Sequence, residues 1–146
     1  GLLEPRRFYS QVRLIGVADG GRELARADLV DGAIVIRDET SLQDKGQEPY
    51  MQPLMTAQSD GSGYFSAVTL NRENGKIDPG NRAMLRYIFP LTDPDGRVDA
   101  AIVLNAAVEQ MFANIVTELE GDTTLTVVSG NGAYMRFSRT MPRCGS

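Results

Sequence analysis

Two strand-like segments, residues 83–91 and 98–105, joined by Asp93-Pro94-Asp95-Gly96, constrain this chain more than any other feature. Proline presets one turn dihedral and glycine supplies another, so the joint reads as a hairpin and the pairing as antiparallel. Within 83–91, Leu85, Tyr87, Phe89 and Leu91 fall on one face, and Met84, Arg86, Ile88 and Pro90 on the other. Residues 8–17 repeat the pattern, with Phe8, Ser10, Val12 and Leu14 opposite Tyr9, Gln11, Arg13 and Ile15. Each strand therefore has a mainly apolar face and a mixed one that carries an arginine. Such a sheet needs a cover on both sides, and the chain supplies about one. The expectation is that a partner chain shields the apolar face, or an upstream helix of which Leu2 and Leu3 would be the end.

The remaining elements fit around this hairpin. Residues 8–17, 23–29 and 33–37 read as a meander of strands, punctuated by Asp19-Gly20-Gly21 and Asp31-Gly32. Residues 48–57 read as a short helix with Pro49 early, where its missing N–H costs nothing. Residues 64–70 read as one strand and 71–81 as a polar loop. Residues 106–119 read as an exit helix, because Val108, Met111, Phe112, Ile115, Val116 and Leu119 keep helical spacing before Gly121. Residues 124–128 and 133–137 read as a second hairpin about Ser129-Gly130-Asn131-Gly132. The layout predicts an α+β fold, an antiparallel sheet of about five strands flanked by helices. A parallel doubly wound fold would need helices between successive strands.

Composition narrows the function. The 146 residues fit one domain, and 42% hydrophobic with 23% charged residues is ordinary for a globular fold. A net charge of -4 with scattered basic residues argues against nucleic acid as a partner. The absence of histidine removes histidine-dependent triads and most zinc sites, so no metal or cofactor is expected. Cys144 alone forms no internal disulfide. Gly61-Ser62-Gly63 lacks the core of a phosphate loop, and neither Asp38 with Glu39 nor Glu118 with Glu120 has a spacing that fixes an acid–base pair. No apolar run approaches the ~20 residues of a membrane span. With no signal peptide and Gly1 first, the chain reads as a piece of a longer protein.

Four stretches resemble the extracytoplasmic PAS-like sensor domains called Cache or PDC domains, found in bacterial histidine kinases, diguanylate cyclases and chemoreceptors. Tyr9-Ser10-Gln11-Val12-Arg13-Leu14-Ile15 resembles the first strand of that family. Leu42-Gln43-Asp44-Lys45 with Pro49-Tyr50-Met51-Gln52 resembles the lead into its short helix, and residues 70–77 the loop after its third strand. Residues 85–91, Asp95-Gly96 and 102–105 resemble its last hairpin. The likeness runs from about Phe8 to Leu119, so residues 1–120 are expected to form the sensor domain and 121–146 a linker or the beginning of a following module. The tail departs from two-module versions, with Arg136-Phe137-Ser138-Arg139 where a His-Pro-Asp stretch is common. The resemblance implies a PAS-like sheet whose long amino-terminal helix has been cut away. It also implies a membrane-anchored parent, a periplasmic location at an inner membrane, and a small-molecule pocket between the sheet and its distal loops. The domain itself is expected not to be an enzyme, with a homodimer as one way to complete it.

Pockets of this family often take carboxylates or amino acids, and binding such anions needs fixed cationic donors. Arg86, mid-strand among apolar neighbours, is the first candidate, either for a ligand or for a salt bridge to Asp44 or another acid. Arg13 is either a ligand contact of the same kind or a solvated or paired sheet arginine. Lys45 is either a reach across the pocket mouth or a surface lysine. Tyr50 and Tyr64 offer a hydroxyl to a ligand or a ring to the core. Asn71 either orients a ligand or caps a turn.

Overall fold

The computed structural model describes residues 9–118, 124–128 and 134–138. Three strands open the fold: β1 (Tyr9–Gly16), β2 (Arg22–Val30) and β3 (Ala33–Ile36). Next come two single 3-10 turns, Glu39–Ser41 and Pro49–Met51, the second running into one α-helical turn, α1 (Gln52–Met55). The helix expected over 48–57 is thus shorter and begins as 3-10, with Pro49 and Pro53 withholding N–H donors from it.

Two further expectations are corrected. Residues 64–70 form two short strands, β4 (Tyr64–Phe65) and β5 (Thr69–Leu70), because the chain breaks away between them. There the Ser66 hydroxyl turns back to its neighbour, donating to the Ala67 carbonyl at 2.8 Å. The expected loop 71–81 contains a small hairpin, β6 (Arg72–Glu73) and β7 (Lys76–Ile77), turned at Asn74 and Gly75, both at positive φ. The long pair β8 (Ala83–Thr92) and β9 (Val98–Ala107) follows, then α2 (Val108–Glu118). Ala106 and Ala107 extend the strand rather than the helix, held by pairing with Leu85 and Met84. β10 (Thr124–Val128) and β11 (Tyr134–Ser138) form a separate two-stranded sheet. Leu2, Leu3, Leu119, Gly121, the 129–132 turn and Cys144 lie outside the described residues.

The main sheet has seven strands in the order β3-β2-β1-β9-β8-β4, with β5 also on β8. All its pairs are antiparallel, as the Asp93–Gly96 turn demands for β8 and β9. Register sorts the residues into rows. Val12–Leu104–Tyr87 and Leu14–Ile102–Phe89 line the outer face. Gln11–Asn105–Arg86, Arg13–Val103–Ile88 and Ile15–Ala101–Pro90 line the inner one. A bulge beside Leu14 and Ile15 skips Leu24, which brings Glu23 opposite Ile15 on the inner face.

Among the described residues, the 49–55 cover packs on the inner face. Tyr50, Met51 and Leu54 pack onto Ile15, Ile88, Ala101 and Val103 to make the core. The cover is anchored where the 41–48 segment crosses the β1–β2 turn. There Lys45 N–H donates to the Gly21 carbonyl at 2.8 Å, and the two backbones touch through Gly21 and Gly46. On the outer face, Val12, Ile34, Ile36, Phe65 and Phe89 stand exposed, Ile34 at 75%. Among the described residues, Met111 of α2 reaches one end of this face, beside Tyr87 and Leu104. The sheet is inverted relative to most: charged groups sit under the cover and hydrocarbon faces out.

Candidate functional site

A polar cluster fills the inner face beside the core. Arg13, only 1% exposed, pairs with the fully buried Glu23. Its Nη2 also donates to Gln11 Oε1 at 2.6 Å and reaches Glu73 Oε1 at 3.1 Å. Arg26 lies 3.5 Å from Glu23 and 3.4 Å from Asp28, and Arg37 closes the chain on Asp28 at 2.5 Å. The contacts of Arg26 are ionic but poorly aimed: its Nε and Nη1, together with Asp28 Oδ1, lack hydrogen-bond partners among the described residues. A buried charge is costly unless paired, and Arg13 follows its paired reading.

Arg86 is different. It is 3% exposed, and no carboxylate of the described residues pairs with it. Its Nη1 donates to Thr69 Oγ1 at 2.7 Å, its guanidinium lies 4.8 Å from the Tyr50 ring centroid, and its Nε has no partner. The alternative reading of a salt bridge to Asp44 is not met: the Asp44 carboxylate accepts from the Gly46 N–H at 3.0 Å. Burial lowers the Arg86 guanidinium from its ordinary value, though an arginine stays cationic at neutral pH. Tyr50, Ser66 and Thr69, which surround it, form part of the wall of a groove of about 870 Å³. That groove runs between the 44–53 segment, the β4–β5 edge and the β6–β7 hairpin.

The other candidates divide. Tyr64 lines this groove beside Tyr50 and donates its hydroxyl to the Tyr50 carbonyl at 2.7 Å, while Arg86 stacks on Tyr50 without lining the groove itself. Tyr50 also belongs to the core, and burial pushes its hydroxyl up to about 12, so it stays protonated at neutral pH. Lys45, 2% exposed, is no surface lysine: its Nζ donates to the Arg72 carbonyl at 3.1 Å and lies 3.8 Å from Glu48. Burial, with the nearby Arg13 charge, lowers its ammonium from the ordinary value. Asn71 caps the hairpin: its N–H donates to the Arg82 carbonyl, its own carbonyl accepts from Asp78 N–H at 2.9 Å, and its amide donates to Glu73 at 3.2 Å.

Sequence reasoning missed Glu23, Arg26, Gln43, Thr69 and Glu73. Arg26 and Asp28, two apart on one strand, carried a same-face signal, whereas Glu23 needed the bulge and Glu73 the hairpin. The carboxylate Asp38 caps a 3-10 turn, accepting from Ser41 N–H at 3.1 Å, and faces no acid–base partner.

No protein-family profile matches this sequence, and no curated protein matches it significantly. Solved structures do. One is an extracellular domain assigned to the histidine kinase vpHK1S-Z8, with TM-score 0.65 and 19% identity over 75% of this chain and 38% of that one. Another is a domain of a protein from Vibrio parahaemolyticus assigned to the sensory box/GGDEF family, with TM-score 0.73 and 17% identity over 88% of this chain and 47% of that one. This chain spans less than half the length of either. At such identities the likeness speaks for architecture, and it agrees with the strand order above: the chain has the PAS-like fold of sensor domains.

Proposed function

We propose that this chain is the extracytoplasmic ligand-sensing domain of a membrane-bound signal-transduction receptor of the histidine kinase or GGDEF type. In this reading it takes a small anionic metabolite, a carboxylate or amino acid, in the groove beside Arg86. The observation that carries the reading is the buried guanidinium without a carboxylate partner. A buried cation is costly unless compensated, and Thr69 and Tyr50, which contact this one, line the groove. An incoming carboxylate would take the place of the Thr69 hydroxyl, with Tyr64 on the same groove wall. Binding would favour one packing of the 44–55 cover on the sheet, and α2, which continues directly from β9, would carry that bias onward. Residues 121–146 then serve as a linker or the start of a following module.

A thermal-shift screen of carboxylates, amino acids and sugars tests this. The expected result is a carboxylate-bearing hit that raises the unfolding temperature of the native chain and is lost in a folded Arg86→Gln variant. A hit indifferent to Arg86, or silence across the library, overturns the anion site. Silence would favour a second reading, a ligand-free dimerisation or contact module, which the filled polar interior and the uncovered outer face support.

A further inference from the structure

The carboxylate of Glu73 is held in the manner of a ligand. Its Oε2 accepts from Gln43 Nε2 at 2.6 Å, and its Oε1 from Arg13 Nη2 at 3.1 Å, Asn71 Nδ2 at 3.2 Å and Gln11 Nε2 at 3.4 Å. Arg26 Nη1 stands 3.8 Å from Oε2 and makes no hydrogen bond, although Arg26 is more than nine-tenths buried. Most of these donors belong to the body of the domain: Gln11 and Arg13 to β1, Arg26 to β2, Gln43 to the cover. Glu73 arrives from the β6–β7 hairpin, and nothing apolar on that hairpin is buried. Polar contacts alone fasten it: the Glu73 carboxylate, Asn74 N–H to Gln43 Oε1 at 3.0 Å, and Lys45 Nζ to the Arg72 carbonyl at 3.1 Å.

Charge counting gives the hairpin a consequence. Arg13, Arg26 and Arg37 are balanced by Glu23, Asp28 and Glu73. Lifting the hairpin would leave the cluster, in which Arg37 is 35% exposed, with one positive charge in excess and Arg13 without its second carboxylate, and a free anion is the natural replacement. The site is reachable, because the Glu73 side chain keeps 32% of its surface in solvent. Its present occupant also fits imperfectly, since it leaves Arg26 unsatisfied.

We propose that Arg13, Arg26, Gln43 and Asn71 form a binding site for a small carboxylate, occupied by the chain's own Glu73 as a tethered surrogate. A free carboxylate that replaces Glu73 releases the β6–β7 hairpin. Since Arg72, Gly75 and Ile77 of that segment wall the large groove, release widens its mouth. This site is separate from Arg86 and stands or falls without it.

The test is chemical rescue. The Glu73→Ala chain is titrated with sodium acetate against sodium chloride at matched ionic strength, and thermal unfolding is followed. Acetate is expected to raise the midpoint of Glu73→Ala saturably, by roughly 4 °C. The native chain should show no such rise, because its tethered carboxylate acts at high effective concentration. Equal responses to acetate and chloride, or the same rise in the native chain, overturn the proposal. If Glu73→Ala does not fold, hydrogen exchange on Glu73→Gln decides. The Asn74 and Asp78 amides should then exchange at least about tenfold faster while Val103 is unchanged. Unaltered exchange at Asn74 and Asp78 overturns it. Neither arm reads Arg86, so failure here leaves the sensing proposal to its own screen.

Discussion

Arg13 and Glu23 are both withdrawn from water and paired with each other. Substituting one leaves the second as an uncompensated buried ion, which costs far more than the net value of the pair. Glu23→Gln is therefore expected to destabilise the domain by roughly 3–5 kcal/mol, measured as the change in urea-unfolding free energy. Glu73 gives a pH signature. Burial alone would raise its carboxyl, but the Gln43 hydrogen bond and the Arg13 and Lys45 charges outweigh this and hold it below the ordinary 4.5. A carboxyl depressed on folding contributes stability that is fully present above its unfolded value and is lost as pH falls through the folded one. The stability difference between the native chain and Glu73→Gln should thus be largest near pH 7 and fade below about pH 4, as read by denaturation at each pH. At this scale the sequence was half legible. Alternation put Arg13 and Arg86 on one face, but no local pattern reveals that Arg13 meets a carboxylate ten residues away while Arg86 meets none.

Among the elements, the crossing of the β1–β2 turn by the 41–48 segment tolerates the least change. Gly21 has φ +90°, and a Cβ there would overlap the Gly46 backbone, which cannot swing aside as a side chain would. Gly20, at φ +73°, faces open space. Gly20→Ala should therefore cost only about 1–2 kcal/mol of left-handed strain. Gly21→Ala should cost clearly more and loosen the cover, so the two midpoints measured side by side form the check. The long strands and their turn were readable because alternation and Asp-Pro-Asp-Gly are local signals. The split of β4 from β5 and the β6–β7 hairpin were not, since two-residue strands have no period to read and are set by tertiary contacts.

Taken whole, the domain presents a sheet face on which the Val12–Leu104–Tyr87 and Leu14–Ile102–Phe89 rows carry no charge. Exposed apolar surface on this scale favours association. The domain is expected to self-associate with rising concentration in sedimentation velocity, and Phe89→Glu, at a half-exposed position, should weaken association without lowering stability by more than about 1 kcal/mol. The two unequal faces were visible in the strand patterns. The reversal was the harder part: ordinary reasoning places the apolar face inward, and here the core cluster under the cover takes Ile15, Ile88, Ala101 and Val103 from a face it shares with buried charges.

That reversal bears on how the chain finds its alignment during folding. In most half-solvated sheets, a strand that slips by one residue is rejected because it turns oil toward water. Here a slipped β1 would present Arg13 to solvent and tuck Val12 and Leu14 beneath the cover, an error that hydrophobicity rewards. What rejects it is the orphaning of Glu23 and Glu73, whose cation would have gone to the far side. Correct alignment in this domain is thus enforced by ionic matchmaking, and weakening those ions should yield misaligned, compact chains before it yields unfolded ones.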